Sequence, residues 1–392
     1  MKTLKRTWAD ISLDNLEYNY RSIRAHLPQG TKFLGVMKAD AYGHGAVPVS
    51  RALADLGAEY LAVSNLEEAV QIRRGEVRLP ILILGYTPAE YAANMIFLDI
   101  TQEVHSLEYA RELNEALAGT NYILNVHLKL DTGMTRIGFF AYDDERTLDE
   151  LRQVAQLPHL HIEGVFMHFC VADSRAEADA SFTKLQYKRF MDMLSAMAGV
   201  GIRPEIRHCC NSGATILYPE FALDMVRPGI ITYGNAPSDE LEGALSLRPM
   251  MSLHSMIAQV RTVPAGTDIS YGRLYRTKEE TRVAVLPIGY ADGLSRLLTG
   301  KASFYLQGHQ VPVIGRICMD MCMIDVSGVP EAKPGDVVTI FGYDDDGTLL
   351  PCERLARAQG TINYELLCQI SKRIPRICHR GAETSQILQY IV

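Results

Sequence analysis

The 392-residue chain has no uninterrupted apolar run approaching the ~20 residues that cross a bilayer. It has no lysine- or arginine-rich tract either, and 39 Lys and Arg against 46 Asp and Glu leave a net charge of −7. A chain of that balance is not expected to bind nucleic acid. The basic N-terminus Met1–Trp8 lacks an apolar stretch behind it, so no signal peptide is read and a soluble, cytoplasmic protein without membrane partners is predicted. Eight cysteines stand at 170, 209, 210, 318, 322, 352, 368 and 378, and only Cys209–Cys210 and Cys318 with Cys322 lie close together. Neither pair has zinc-site spacing, so no metal is expected and the thiols read as reduced core residues. No low-complexity segment is present. The aspartate triplet Asp344–Asp346 lacks the rest of a calcium loop and reads as a solvated hairpin turn.

What the chain does have is apolar content, 47% of residues, and a length that predicts two domains. Residues 7–11 read as a strand. Ser12 is a helix N-cap before Leu13, Leu16, Tyr20, Ile23 and Leu27, one helical face that ends at Pro28. Short apolar strands then alternate with amphipathic helices. Strands are predicted over 32–38, 60–64, 80–85, 97–101, 123–130, 162–168, 205–210 and 224–227, with helices over 65–74, 106–118, 143–155, 177–197 and 212–218. Eight strand–helix units predict an α/β fold, a (β/α)8 TIM-like barrel. The polar stretch Asn235–Leu245 breaks the pattern. Beyond it, turn signals at 264–266, 307–309 and 334–336 separate strands, and helices are predicted near 351–358 and 363–373. The domains are therefore placed at 12–240, the barrel, and 241–392, a smaller mainly-β domain that residues 1–11 join.

Chemistry concentrates in Val36–Gly45, where an apolar strand delivers one lysine, Lys38, to its C-terminal end. A buried ammonium is expensive, and burial frees the amine as a nucleophile of the Schiff-base kind, whereas an ordinary strand-end lysine snorkels to water. Tyr42 follows beside Gly43 and Gly45, where a ligand can approach the backbone closely. Function in such a barrel sits at the strand C-terminal ends. There the chain places Lys129, Asp131 and Arg136 after strand five, His168 after strand six, Asn211-Ser212-Gly213 after strand seven and Arg227-Pro228-Gly229-Ile230 after strand eight. The loops after strands seven and eight are the usual phosphate site, although Ser212 reads equally well as a helix cap. A phosphate site and a strand-one lysine together point to a phosphorylated carbonyl cofactor, pyridoxal 5'-phosphate.

Val36–Gly45, Lys129–Gly138, Asn211-Ser212, Met225–Ile230, Ile269–Gly272, Pro287–Gly293, Gly315–Asp320 and Thr361–Glu365, strung in order along the chain, resemble alanine racemase. The resemblance implies a homodimer with shared active sites and a small amino-acid substrate. It makes Lys38 the cofactor lysine and one catalytic base, and Tyr271 of the other subunit the second base. Tyr42, Asn211, Ser212, Gly229, Ile230 and Tyr364 match cofactor-binding positions. Arg227 matches the arginine facing the pyridine nitrogen, and His168 the residue linking it to the tyrosine. Arg136 and Met319 match substrate-binding positions, and Lys129 a lysine that several members carry carbamylated. Asp173, Tyr290, Arg296 and Arg316 resemble the lining of the access corridor. Pro228 and Thr135 depart from common family choices at positions without contacts.

Removing a Cα proton from one face and returning one to the other needs two bases. A tyrosine of ordinary pKa costs roughly 4 kcal/mol to ionise at pH 7, so cationic or hydrogen-bonding neighbours must help it. Arginine stays protonated and keeps the pyridine nitrogen unprotonated, which weakens the electron sink. The expected function is interconversion of L- and D-alanine for cell-wall peptidoglycan. The alternatives are a serine-preferring or broad racemase, a non-catalytic pyridoxal phosphate carrier, and a barrel decarboxylase. Tyr364 favours alanine over serine, and the second domain with Tyr271 and Met319 disfavours the carrier.

Overall fold

Lys32–Val36, almost wholly enclosed, is the first of eight parallel strands in a computed structural model that describes residues 6–142 and 144–390. Met1–Lys5 of the N-terminal reading, and residue 143 at the start of a predicted helix, lie outside the described residues. The other barrel strands are Tyr60–Val63, Ile81–Ile83, Ile100–Val104, Leu124–Asp131, Leu160–Phe166, Ile206–His208 and Met225–Val226. Each pairs in parallel with the next in chain order, and Met225 opposite Lys32 closes the ring. Strands covered on both faces need nearly continuous burial, and Tyr60–Val63 and Ile81–Ile83 are buried at every residue.

The fourth strand lies at Ile100–Val104, not at 97–101. Ala92–Phe97 is a helix, and Asp99 takes a left-handed conformation (φ 52°) that turns the chain into the strand. Thr101, Gln102 and Glu103 are buried inside it, so a search for apolar runs passes over the segment. Helices begin where caps are available: Asn65 and Ser106 accept from backbone N–H groups of the first turns of Leu66–Arg74 and Leu107–Ala116. Ser12 accepts from Asn15 N at the start of Leu13–His26.

Contacts divide the chain into two units: Leu16–Ala41 with Ala46–Arg248, and the described residues up to Asn15 with Tyr42–Gly45 and those from Pro249 onward. The second unit is mainly β. Thr7–Ser12 pairs antiparallel with Met251–Met256 and parallel with Arg376–Arg380 inside one large sheet. Gln307 and Gly308, both at positive φ (51° and 78°), make the two-residue hairpin turn between Ser303–Leu306 and His309–Ile314. Asp344 accepts from the backbone N–H of Asp346 (3.0 Å) and Thr348 (2.7 Å), closing the turn predicted there.

The last predicted helix, 363–373, stops at Cys368. The chain after it bends so that the buried guanidinium of Arg376 donates to the carbonyls of Ile370, Ser371, Ile374 and Gly43 at 2.6–2.8 Å. Gly43 is obligatory: its φ is +82°, and a Cβ would lie 2.4 Å from Leu367 O. None of the cysteines forms a disulfide, but Cys170 and Cys368 are exposed and are not core residues. Both follow a strand or close a helix, where an apolar context in sequence does not mean burial. Among the described residues no helix is long and apolar enough to cross a membrane.

Candidate active site

The first barrel strand ends at Val36, two residues before Lys38, which is half-buried. Ala39, Asp40, Ala41 and Tyr42 then follow with φ between 52° and 55°, a left-handed turn made without glycine. Such residues cost about 1–2 kcal/mol each, so the turn must be held. Two carboxylates hold it: Glu68 accepts from Ala39 N (2.6 Å) and Ser64 N (2.7 Å), and Asp40 accepts from Ala46 N (2.8 Å) and the Gln71 side chain (3.3 Å). The lysine is therefore presented by an over-determined loop rather than by a strand end.

Leu124–Asp131 alternates apolar and polar residues, and its polar face points into the barrel. His127 and Lys129 are buried there. The Lys129 ammonium lies 4.7 Å above the Phe166 ring, and burial, then repulsion from Arg227 and Arg136, hold its pKa well below the usual lysine range. Asp131 folds the following loop by accepting from the N–H groups of Gly133, Met134 and Thr135 at 2.9–3.1 Å. Arg136 stands exposed just beyond.

Arg227, at the end of strand eight, is buried. Its Nη1 donates to His208 Nδ1 (2.9 Å), and its Nη2 reaches Met167 O (2.7 Å), Cys209 O (3.1 Å) and His168 Nδ1 (3.4 Å). Burial lowers its pKa to about 10, which still leaves it protonated at neutral pH. No acceptor within the described residues meets its Nε. His168 is held well below the usual histidine range by burial and by four cations, Arg227, Lys129, Arg136 and Lys38. These residues share one electropositive barrel mouth. Because arginine only donates, His168 Nδ1 is an acceptor and its Nε2 carries the proton.

The loops after strands seven and eight also meet. Asn211, not Ser212, caps the helix Ser212–Leu217 by accepting from Ala214 N (3.0 Å). The Ser212 hydroxyl accepts instead from Gly229 N (2.9 Å), tying the two loops together. The first N–H groups of Ser212–Leu217 and of the short helix Ile230–Tyr233 have no acceptor within their own helices. The Ser212 and Ile230 N–H groups, held together by the Gly229–Ser212 bond and the Asn211 cap, thus form a cluster of donors of the kind that suits an anion. Asp173 lies in the loop after strand six, half-buried, its carbonyl accepting from the Ser238 hydroxyl (2.6 Å); burial raises its carboxyl pKa.

In the other unit Tyr42 and Tyr364 lie together, ring centroids 5.9 Å apart, with burial pushing the Tyr42 phenol well above its ordinary pKa. A second cluster gathers Tyr271, Tyr290, Arg316 and Met319. Ser270 donates to Arg316 O (2.7 Å), and a Cβ on Gly272 would lie 2.6 Å from the Arg316 guanidinium. Tyr290 N and Ala291 N donate to the carbonyls of Cys318 and Met319 at 3.0 Å. Arg296 opens an exposed turn whose Thr299 accepts from Ile317 N (3.3 Å). Tyr271 is 69% exposed, on a turn where Ser270, Gly272 and Arg273 all have positive φ. Glu163, His127 and His208, which no sequence motif marks, join Arg227 inside the barrel.

The pyridoxal phosphate expected from the sequence suits these residues on chemical grounds. The barrel mouth offers an amine, a phosphate-type donor cluster and a buried guanidinium with an unused N–H.

Two family models match the chain: the alanine racemase N-terminal domain over residues 11–237 and the alanine racemase C-terminal domain over 250–378. The alanine racemase of Desulfovibrio desulfuricans is 46% identical over 370 residues, covering 94% of this chain and 97% of that one. Among solved structures, the Clostridium difficile 630 alanine racemase in complex with cycloserine superposes with a TM-score of 0.91 at 38% identity, covering both chains in full. That of Bacillus anthracis with bound L-Ala-P gives 0.93 at 34% identity, over 100% of this chain and 99% of that one. With both halves of the family matched in order, the chain belongs to the alanine racemase family, isomerases that depend on pyridoxal phosphate.

Proposed function

We propose that the protein interconverts L- and D-alanine with pyridoxal phosphate and supplies D-alanine for cell-wall peptidoglycan in the cytoplasm of a bacterium. The observation that carries this reading is the barrel mouth itself, where Lys38, Lys129, Arg136 and Arg227 surround a neutral His168. Such a site attracts a phosphate-bearing cofactor and a substrate carboxylate. The relatives' ligands, cycloserine and L-Ala-P, are of the matching small size and polarity.

Bound pyridoxal phosphate supplies the electron sink that acidifies the Cα–H of an attached amino acid. Lys38 holds the cofactor covalently and moves the Cα proton on one face. Ser212, Gly229, Ile230 and Tyr42 hold the phosphate, with Asn211 shaping the loop and Tyr364 beside Tyr42. Arg227 would offer its unused Nε–H to the ring nitrogen of the bound cofactor. His168, neutral and protonated at Nε2, donates to the phenol oxygen of Tyr271 from a second copy of the chain and so favours the phenolate. Tyr271 then moves the proton on the opposite face. Arg136 and the backbone of the second copy's Met319 take the substrate carboxylate, while Asp173, Tyr290, Arg296 and Arg316 line the approach. A homodimer is supported by the exposed apolar side chains of Tyr271, Leu274, Tyr290, Met319 and Met321 on the second unit. We assign the barrel to 12–240 and the unit that completes the partner's site to 241–392 with 1–11.

Incubation of the holoenzyme with L-alanine in heavy water tests the reading. D-alanine carrying Cα deuterium, formed much faster than D-serine from L-serine, is expected. Fast serine turnover would replace the substrate, and no exchange with either would overturn the racemase.

Lys129 is the proposed carbamylation site, because burial and the neighbouring Arg227 and Arg136 guanidiniums disfavour its ammonium form, and a carbamate there would offset their charge. Native mass spectrometry is expected to show a form heavier by one CO2 that vanishes in Lys129→Met. Equal masses in the two proteins, after subtracting the substitution, would contradict it.

A further inference from the structure

The interior of a (β/α)8 barrel is ordinarily filled by branched apolar side chains. Here a line of polar groups runs through it. Arg227 Nη1 lies 2.9 Å from His208 Nδ1, His208 Nε2 lies 2.9 Å from His127 Nδ1, and His127 Nε2 lies 3.0 Å from Glu163 Oε2. Both imidazoles are fully buried. Glu163 is fixed in turn by the Tyr60 hydroxyl (2.9 Å) and the Thr101 hydroxyl (3.3 Å), from strands two and four.

Two local features build this line. Strand six carries a bulge between the Val126/Ile162 and His127/Gly164 pairs, so Glu163 is the unpaired residue. A bulge re-aims a side chain, and this one leaves Glu163 bonded to residues on three other strands. Gly164, opposite His127, leaves room for its ring: a Cβ there would lie 2.5–2.6 Å from three ring atoms. The ring of His208 is further stacked on Phe166, 5.0 Å between centroids at 10°, and the Arg227 guanidinium lies 5.4 Å above the same ring.

The protons along the line have one consistent arrangement. Arginine only donates, so His208 Nδ1 accepts and Nε2 carries the hydrogen. That hydrogen points at His127 Nδ1, which accepts, so His127 Nε2–H points at Glu163, an acceptor-only carboxylate. Every bond runs the same way, from guanidinium to carboxylate, and such chains strengthen one another in a low-dielectric interior. Burial, then the charge of Arg227, keeps His208 neutral, and burial keeps His127 neutral despite Glu163. Burial alone would raise the Glu163 carboxyl, but the hydrogen bonds it accepts from His127, Tyr60 and Thr101 bring it below its ordinary value.

We propose that Glu163 is a positioning residue that acts through His127 and His208 to fix the tautomers of both imidazoles and, with them, the orientation of Arg227. The inference rests on the reading of Arg227 as the partner of the cofactor ring. Without the carboxylate, His127 has no reason to keep its proton on Nε2. A flip of that proton to Nδ1 sets N–H against N–H at His208. A second flip there sets an imidazole N–H against the guanidinium. Arg227 would then turn away from His208 and lose its aim.

Glu163→Leu removes the acceptor, Glu163→Gln keeps an acceptor without charge, and Tyr60→Phe removes one bond at Glu163 but leaves the line intact. Glu163→Leu is expected to lower kcat about tenfold to a hundredfold with KM for alanine nearly unchanged. Glu163→Gln should recover most of that loss, and Tyr60→Phe should leave turnover as in the wild type. In 15N-histidine-labelled holoenzyme, His127 and His208 should both show the Nε2–H tautomer throughout the neutral pH range. This holds even if the leucine variant fails to fold. The Nδ1–H form at either histidine, or wild-type turnover in a folded Glu163→Leu, overturns the positioning role while racemisation by the wild type stands. Absence of racemisation in the wild type overturns the reading beneath it instead.

Discussion

Replacement of Lys38 by alanine is expected to abolish racemisation, with a loss of at least about 10⁴-fold, because in the proposed reading one side chain both anchors the cofactor and moves a proton. The structure adds a reason for the size of the effect. The left-handed turn Ala39–Tyr42, held by Glu68 and Asp40, fixes where the amine stands, and no other lysine shares that loop. Lys129 is buried in the same barrel but is fixed over Phe166. Borohydride treatment followed by peptide mass mapping checks the assignment. The wild type should retain the cofactor covalently at Lys38, and Lys38→Ala should retain none. Labelling at Lys129, or racemisation surviving in the variant, would move the anchor elsewhere.

Tyr271→Phe is expected to lower racemisation by about 10³-fold in both directions while leaving half of the chemistry intact. With Lys38 still present, the Cα hydrogen of one enantiomer should continue to exchange with heavy water without inversion. The other enantiomer should not exchange. A racemase with a single base would instead lose exchange for both enantiomers together or for neither. Phenylalanine removes only the hydroxyl from a side chain that is already exposed, so folding should not suffer. A thermal melt unchanged from wild type would confirm that the loss is chemical.

Much of this arrangement was legible in the sequence because barrels place function at strand ends, where polar residues interrupt apolar runs. Lys38, His168, Asn211-Ser212 and Arg227-Gly229 all announce themselves that way. The left-handed turn after Lys38 does not, since Ala-Asp-Ala contains no glycine to mark positive φ. It exists because Glu68, from the helix Leu66–Arg74, and the turn's own Asp40 hold it against the local preference. The fourth strand was displaced because its Gln102 and Glu103 are polar yet enclosed. The line from Arg227 to Glu163 was hidden for a related reason. Alternation in Leu124–Asp131 ordinarily means one wet face, but in a closed barrel the polar face is the inner one. Only the three-dimensional pairing, with the bulge at Glu163 and the gap at Gly164, shows His127 bonded rather than solvated.

The central claim, two bases drawn from two copies of the chain, is tested most directly by mixing the two inactive variants. Lys38→Ala and Tyr271→Phe subunits are unfolded together, refolded at equal amounts and assayed for racemisation. If each site takes Lys38 from one subunit and Tyr271 from the other, every mixed dimer regains one intact site. With random pairing in a two-fold dimer the mixture should recover about a quarter of wild-type activity. Wild-type subunits taken through the same cycle set the scale. No recovery in the mixture, alongside full recovery of the wild type, would contradict the shared site and return both bases to a single chain.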